Sequence, residues 1–367
     1  MWLRIFSIIR SYDWSLVIIT FVLSAIGLAA IYSVGLSRGG TSLVYVPTQL
    51  LAFAIGAAVF FMAGNFHVTR YHASARFFYV LSGLLLASVL WVGQTIRGTR
   101  GWFNFGSFSF QPTEFAKAAV ILMLGFIASR VGRRFDRIQY ILFTGAVVAL
   151  PTGLILIQPD LGSAMVMVGV WFGILSLTVL KKRYLAGLVL LSVALSVLGW
   201  LFFFKPYQRD RLLTFLQPGR DPLGAGYNVT QSIVAVGAGQ IFGRGLGFGS
   251  QSQLRFLPEA QTDFIFSVIA EELGLVGTTL VLGLYFLLLW RLITIARQCA
   301  DDFGAYTVAG VALMFFIHMV LNIGAAIGLL PITGVPLPFL SYGGSSILVN
   351  FFLLGIVESV ARSMQAA

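Results

Sequence analysis

Ten apolar stretches, each near twenty residues long, recur along this chain with short polar breaks between them. Crossing the hydrocarbon core of a bilayer takes about 20 helical residues. The stretches at 14–35, 47–64, 77–95, 113–129, 138–157, 162–180, 185–204, 264–290, 304–329 and 345–361 therefore predict an all-α polytopic membrane protein of about ten spans. Composition agrees: 58% of residues are hydrophobic and 10% charged, with mean hydropathy +0.91, outside the range of water-soluble domains. The first run is too long for a cleaved signal peptide and lacks a small-residue cleavage site, so it is expected to persist as a signal-anchor helix.

Orientation follows from the basic residues. With the N-terminus inside, fourteen Lys and Arg fall on the inner side, among them Arg70, Arg76, Arg130, Arg133, Arg134 and Arg137, while the short outer loops hold only Arg38, Arg97 and Arg100. That asymmetry predicts N-in and C-in. Six more cations, Lys205, Arg209, Arg211, Arg220, Arg244 and Arg255, lie in one long outer loop, where the inside-positive bias is weak. The net charge of +11 is thus mainly topological and favours anionic inner-leaflet lipid.

Several classes drop out. No compact basic and aromatic module points to nucleic acid. Cys299 is the only cysteine, so no intrachain disulfide forms. His67, His72 and His318 are too scattered for a zinc site. Asn228-Val229-Thr230 matches a glycosylation sequon, a motif short enough to be coincidence.

The chain reads as one membrane domain, 1–367, interrupted by a long extracytoplasmic loop at 205–262. Loops of such length in compact proteins are functional or disordered. Apolar residues such as Ile233, Val236, Phe242 and Leu257 argue for order, with a short amphipathic element near 229–236 and then glycine-rich turns through GRGLGFG. That glycine run follows no soluble strand, so it reads as tight turns rather than a nucleotide loop.

Four clusters share the outer side. QTIRGTRGWFNFGSFSFQPTEFAK carries Arg97, Arg100, Trp102, Glu114 and Lys117, and the spacing of three puts Glu114 and Lys117 on one helix face, as an ion pair or as partners to a common ligand. IQPDLG sets Asp160 at a helix junction, as a cap or a functional group. The long loop brings Lys205 and Arg209 near its start. LLPITGVPLPFLSYGGSS, with three prolines and two adjacent glycines, excludes regular helix, and irregular backbone at membrane depth must line protein or a cavity.

FLPEAQTDFIFSVIAEELGLVG adds Glu259, Asp263, Glu271 and Glu272 at the mouth of, and then within, the eighth predicted span. Asp263 or Thr262 could cap that helix, and a functional carboxylate is compatible with capping. If a helical turn starts at Pro258, Glu259 and Asp263 share a face and need a cation nearby. Glu271 lies about 12 Å further along, so it and Glu272 are not expected to touch the same reacting atoms; their cost inside the bilayer implies buried partners, cavity water or protonation, and structural or positioning roles. A carboxylate base beside several cations suits transfer of a sugar from a lipid diphosphate. Transport of an anionic lipid would use a similar cavity.

PEAQTDFIFSVIAEELGLVG, QPTEFAK, QPDLG, DPLGAGYNVTQS and LLPITGVPLPFLSYGGSS together resemble the SEDS family of shape, elongation, division and sporulation proteins, in the family's order from the third span to the tenth. GSQSQLRFLPE and GVPLPFLSYGG resemble its elongation members more than its division members. The resemblance implies a ten-helix peptidoglycan glycosyltransferase that polymerises lipid II at the outer face of the bacterial cytoplasmic membrane and works with a class B penicillin-binding protein transpeptidase. The family's catalytic aspartate falls on Asp263 as general base. Substrate and cavity roles fall on Trp102, Glu114, Lys117 and Asp160, and are expected also of Glu259, Ser341 and Tyr342. Arg97, Arg100, Lys205 and Arg209 are the candidate diphosphate contacts by charge and side. A divalent cation (Mg or Mn) could bridge diphosphate and carboxylate, but no ligand motif identifies one. Flipping of lipid II, a division-type role and a non-catalytic scaffold are the alternatives.

Overall fold

The computed structural model describes residues 12–36, 45–96, 99–104, 106, 109–131, 138–178, 182–203, 206–217 and 224–365. Its helices are α1 (Trp14–Leu36), α2 (Tyr45–Asn65), α3 (Val68–Val92), α4 (Pro112–Val131), α5 (Ile138–Ile157), α6 (Leu161–Thr178) and α7 (Lys182–Leu198), followed by a π turn at Gly199–Phe203. Then come α8 (Pro206–Leu216), α9 (Ala225–Ala238), the single turn α10 (Ser250–Gln253), α11 (Ile265–Gln298), α12 (Asp302–Ala326) and α13 (Gly344–Gln365). The chain is a polytopic all-α membrane protein.

Eight helices among the described residues, α1, α2, α3, α5, α6, α11, α12 and α13, are long and apolar enough to cross a membrane. The other two predicted segments coincide with α4 and α7. Helix α4 departs from the apolar pattern because it is the central helix: fifteen of its twenty residues are buried, and it packs on α3, α5, α6, α12 and α13. Protein rather than lipid surrounds it, so it can carry Glu114 and Lys117. Helix α7 is seventeen residues long, and the π turn continues it.

A small sheet went unanticipated. Strands β1 (Gln94–Ile96), β2 (Thr99–Asn104) and β3 (Ser109–Phe110) pair antiparallel in that order between α3 and α4. The short hairpin lays β2 across α3 and α4. Helix α9 falls where the amphipathic element is predicted and packs on α11 and α12.

Helix α11 is broken. At Gly274 the backbone turns to φ 65°, ψ −160°, and the 240–245 turn fills the gap. Arg244 N–H donates to Glu271 O (3.0 Å), Gly245 N–H to Glu272 O (2.9 Å), Leu275 N–H to Gln240 O (2.9 Å) and Val276 N–H to Ile241 O (3.1 Å). Two carbonyls before the break and two N–H groups after it are thus matched by groups on the turn, as buried backbone demands. The approach is possible only without side chains: a Cβ on Gly243, at φ +78°, would sit 2.1 Å from Glu272 O, and one on Gly274 would sit 2.3 Å from Gly243 N.

Candidate active site

Asp263 stands at the end of a turn, half-buried. Glu259, at φ +51°, reverses the chain so that its carbonyl accepts the N–H groups of Thr262 (3.0 Å), Asp263 (3.2 Å) and Phe264 (3.4 Å). This corrects two expectations. The stretch is a turn, not a helix that aligns Glu259 with Asp263, and Phe264 is the N-cap of α11, with no side-chain hydrogen bond capping it. The main-chain carbonyl has already taken those N–H groups, and Thr262 Oγ1 turns back onto Glu259, 3.3 Å from its Oε2.

The proline-rich segment is stitched to this turn. Ser341 Oγ donates to Thr262 O (2.7 Å), and Tyr342 N–H donates to Gln261 O (2.8 Å). Asn322 of α12 spans both, donating to Asp263 O (3.1 Å) and Val335 O (2.9 Å). Gln49 of α2 donates to Ser341 O (3.2 Å) and accepts from Gly343 N–H (3.3 Å). Deeper, Tyr285 of α11 donates to Pro338 O. A Cβ at Gly27, nine residues from the end of α1, would meet Leu340 O at 2.5 Å. The segment therefore enters the bundle as irregular backbone whose carbonyls find donors from protein, as membrane depth requires.

Glu114 and Lys117 meet at 2.7 Å with side chains 3% and 2% exposed. Lys117 Nζ also lies 3.2 Å from His318 Nε2, and His318 Nδ1 lies 3.0 Å from Pro336 O. A carbonyl can only accept, so Nδ1 carries the imidazole proton and Nε2 accepts from the ammonium. Glu114 Oε2 has no partner and is buried. The triad connects α4, α12 and the proline-rich segment.

Asp160 caps α6, its Oδ1 accepting from Ser163 N–H (3.0 Å), while Oδ2 takes Gln111 Nε2 (3.4 Å). Gln111 N–H in turn donates to Ser345 Oγ (3.1 Å). Trp102 sits half-buried on β2, paired with Gln94. The candidate diphosphate contacts fare differently. Arg100 spends its guanidinium on the end of α3, at Trp91 O (2.7 Å) and Gly93 O (3.1 Å). Arg209 reaches Leu201 O (3.3 Å) and lies 5.9 Å from the Trp200 ring. Both sets of bonds go to main-chain carbonyls, as cations beside a helix C-terminus can make. Arg97 and Lys205 lie outside the described residues.

Glu271 and Glu272 are 0% and 1% exposed. Glu271 accepts from Gln251 N–H (2.8 Å), Ser252 N–H (3.2 Å) and Ser250 Oγ (3.3 Å), holding the start of α10. Glu272 accepts from the Ser33 hydroxyl. Among the described residues no three of His, Cys, Asp and Glu form a group that could hold a metal ion.

Charge-first reading of the sequence missed His318, Asn322, Gln49 and Gln158. Gln158 sits inside the quoted IQPDLG, where Thr113 Oγ1 donates to it (3.4 Å) and it donates to Leu86 O (3.2 Å). A buried amide within an apolar span was the available signal.

Comparison with known proteins follows the same map. The family described as cell cycle protein, that of FtsW, RodA and SpoVE, matches residues 13–366. The chain belongs to this family. It is 37% identical over 359 residues to stage V sporulation protein E of Bacillus subtilis, covering 96% of this chain and 97% of that protein. It is 38% identical over 327 residues to the peptidoglycan glycosyltransferase MrdB of Escherichia coli, covering 88% and 87%. Among solved structures, a chain of a peptidoglycan synthase complex that coordinates polymerization and crosslinking superposes with a TM-score of 0.82 at 35% identity, covering 97% of this chain and 99% of that one. The rod shape determining protein RodA of Thermus thermophilus superposes with a TM-score of 0.72 at 32% identity, covering 96% and 97%.

Proposed function

We infer that this chain is a RodA-like peptidoglycan glycosyltransferase that polymerises lipid II into β-1,4 glycan during cell elongation. The reading carries with it ten spans, N-in and C-in, with residues 205–262 and the site at the outer face of the cytoplasmic membrane. Asp263 is the general base. Its carboxylate takes the proton of the acceptor's sugar 4-hydroxyl as that oxygen attacks the donor's anomeric carbon. The bond from that carbon to the diphosphate oxygen breaks with inversion, and the electron pair leaves on polyprenyl diphosphate.

The supporting observation is a half-buried carboxylate at the junction of two irregular segments, the 259–263 turn and the proline-rich entry, in a chain whose relatives include a named peptidoglycan glycosyltransferase. Lys117, oriented by Glu114 and His318, is the buried cation suited to charge that develops on the leaving diphosphate. Glu114 Oε2 and Asp160 are acceptors for sugar hydroxyls. A class B penicillin-binding protein supplies the crosslinking.

The test is polymerisation of labelled lipid II by the protein reconstituted with its transpeptidase partner. Asp263→Asn is expected to give no polymer while keeping the wild-type unfolding temperature. Normal polymer from Asp263→Asn overturns the base assignment. Movement of lipid II across vesicles without polymer from the wild type would overturn the enzyme reading in favour of transport.

A further inference from the structure

Two cross-links between α1 and α11 fix where the bilayer lies. Asp13, just before the start of α1, accepts from the Arg291 guanidinium, and Ser33, three residues before the end of α1, donates to Glu272. The two links lie twenty residues apart along α1 and nineteen along α11, about 30 Å at 1.5 Å per residue, which is the thickness of the hydrocarbon core. Between them Ile18, Phe21 and Val22 of α1 and Leu280, Phe286 and Leu287 of α11 are exposed. Exposed Trp14 and Tyr32 bracket the same stretch of α1, as interfacial aromatics do. The Ser33 link therefore marks one face of the hydrocarbon.

The turns at 241–248 are fastened to that face. Gly247 N–H donates to Ser33 Oγ at 3.0 Å, and Arg244 and Gly245 are held by the break in α11. Three glycines with positive φ, Gly243, Gly245 and Gly247, keep the chain in tight turns there. Leu246 goes deeper. It walls an open hollow of about 260 Å³ together with Ala25 and Ala29, which lie eight and four residues inside Ser33, about 12 and 6 Å along α1. Phe242 is 82% exposed and Phe248 76%, more than any large apolar residue of α1 or α11. Arg244 is exposed on the same turns, its Nε donating to Ala238 O (3.2 Å).

We propose that residues 241–248 are a lipid-facing anchor. Phe242, Leu246 and Phe248 enter the acyl region of the leaflet beside α1 and α11, and Arg244 stays at the level of the lipid phosphates. Continuity selects the occupant. The patch adjoins the lipid-facing sides of α1 and α11, and Leu246 sits where Ala25 and Ala29 are themselves exposed to hydrocarbon, deeper than a water-soluble partner reaches. Aromatic and aliphatic side chains with a cation among them are also the composition of segments that lie in a membrane interface.

Spin labels measure the depth. In a Cys299→Ser background, which removes the only cysteine, nitroxides on Phe242→Cys and on Phe248→Cys are read by collision with oxygen and with a water-soluble nickel chelate. The sample is the full-length protein in phosphatidylethanolamine–phosphatidylglycerol liposomes. Labels on Leu280→Cys, exposed near mid-span of α11, and on Asp302→Cys, exposed at the start of α12, are the hydrocarbon and water references. An anchor about 5–10 Å into the interface should raise the oxygen-to-nickel ratio about tenfold over the Asp302 label, toward the Leu280 label. The ratio of the Asp302 label at either position overturns the proposal. So does a ratio that rises only when the transpeptidase partner is added, which would make the patch a protein interface. Should Phe242→Cys not fold, Phe248→Cys decides alone. None of these readings depends on polymerisation.

Discussion

Two charged clusters lie at opposite ends of this bundle and are built on different plans. At the end where α1 begins, Asp13 accepts from Ser15 N–H (3.1 Å), Leu16 N–H (3.4 Å) and the Arg291 guanidinium, while its own N–H donates to Glu358 Oε1 (3.0 Å). Arg362 donates to Gly64 O (2.9 Å) and Asn65 Oδ1 (2.8 Å) and covers the Tyr12 ring at 4.9 Å. These groups tie together four helices, α1, α2, α11 and α13, and all but Glu358 Oε2 spend their bonds inside the cluster. At the other end Asp263 follows the 259–263 turn beside irregular backbone and keeps part of its surface open. The first cluster clamps helices together, whereas irregular backbone holds Asp263 partly open.

Mutations can break that distinction. The largest expected effect is on rate: Asp263→Asn should lower polymerisation by about 10²–10⁴-fold with unfolding unchanged. Next comes Lys117→Met, which strands the buried Glu114 carboxylate and should cost about 3–5 kcal/mol in detergent unfolding, with part recovered in the Lys117→Met, Glu114→Gln double variant. Gly243→Ala forces a side chain at φ +78° against the Glu272 carbonyl and should cost about 1–3 kcal/mol, together with loss of protease protection across 240–253. The smallest effect belongs to the Asp13 clamp. Arg291 is 38% exposed, and Asp13 retains two backbone donors without it, so Arg291→Gln should cost at most about 1 kcal/mol and leave polymerisation intact. A larger loss of rate in Arg291→Gln than in Lys117→Met would erase the contrast between the two ends.

Most of the helical frame was legible because lipid enforces one rule, an apolar run of sufficient length, on every helix that touches it. In helix α4, Glu114 and Lys117 are three apart, and that spacing announced their pairing on one face. His318 was passed over because its partner Lys117 is 201 residues away in sequence, and no local period records such a contact. The break at Gly274 was hidden for a similar reason. Its missing hydrogen bonds are supplied from residues 240–245, whose glycines read as ordinary turns. Charge and side alone brought Arg100 forward as a candidate, and its carbonyl partners nine and seven residues back emerge only from the hairpin.

The shared hydrogen bonds between the 240–245 turn and the break in α11 also decide where this protein tolerates engineering. Ile241, Phe242 and Arg244 are exposed and surrounded by glycine, the profile of a site chosen for an epitope tag or a fluorescent fusion. Yet the backbone of Gln240, Ile241, Arg244 and Gly245 completes a helix about thirty positions downstream. An insertion there would lengthen no loop. It would remove the missing rung of α11, and with it the footing on which Asp263 stands.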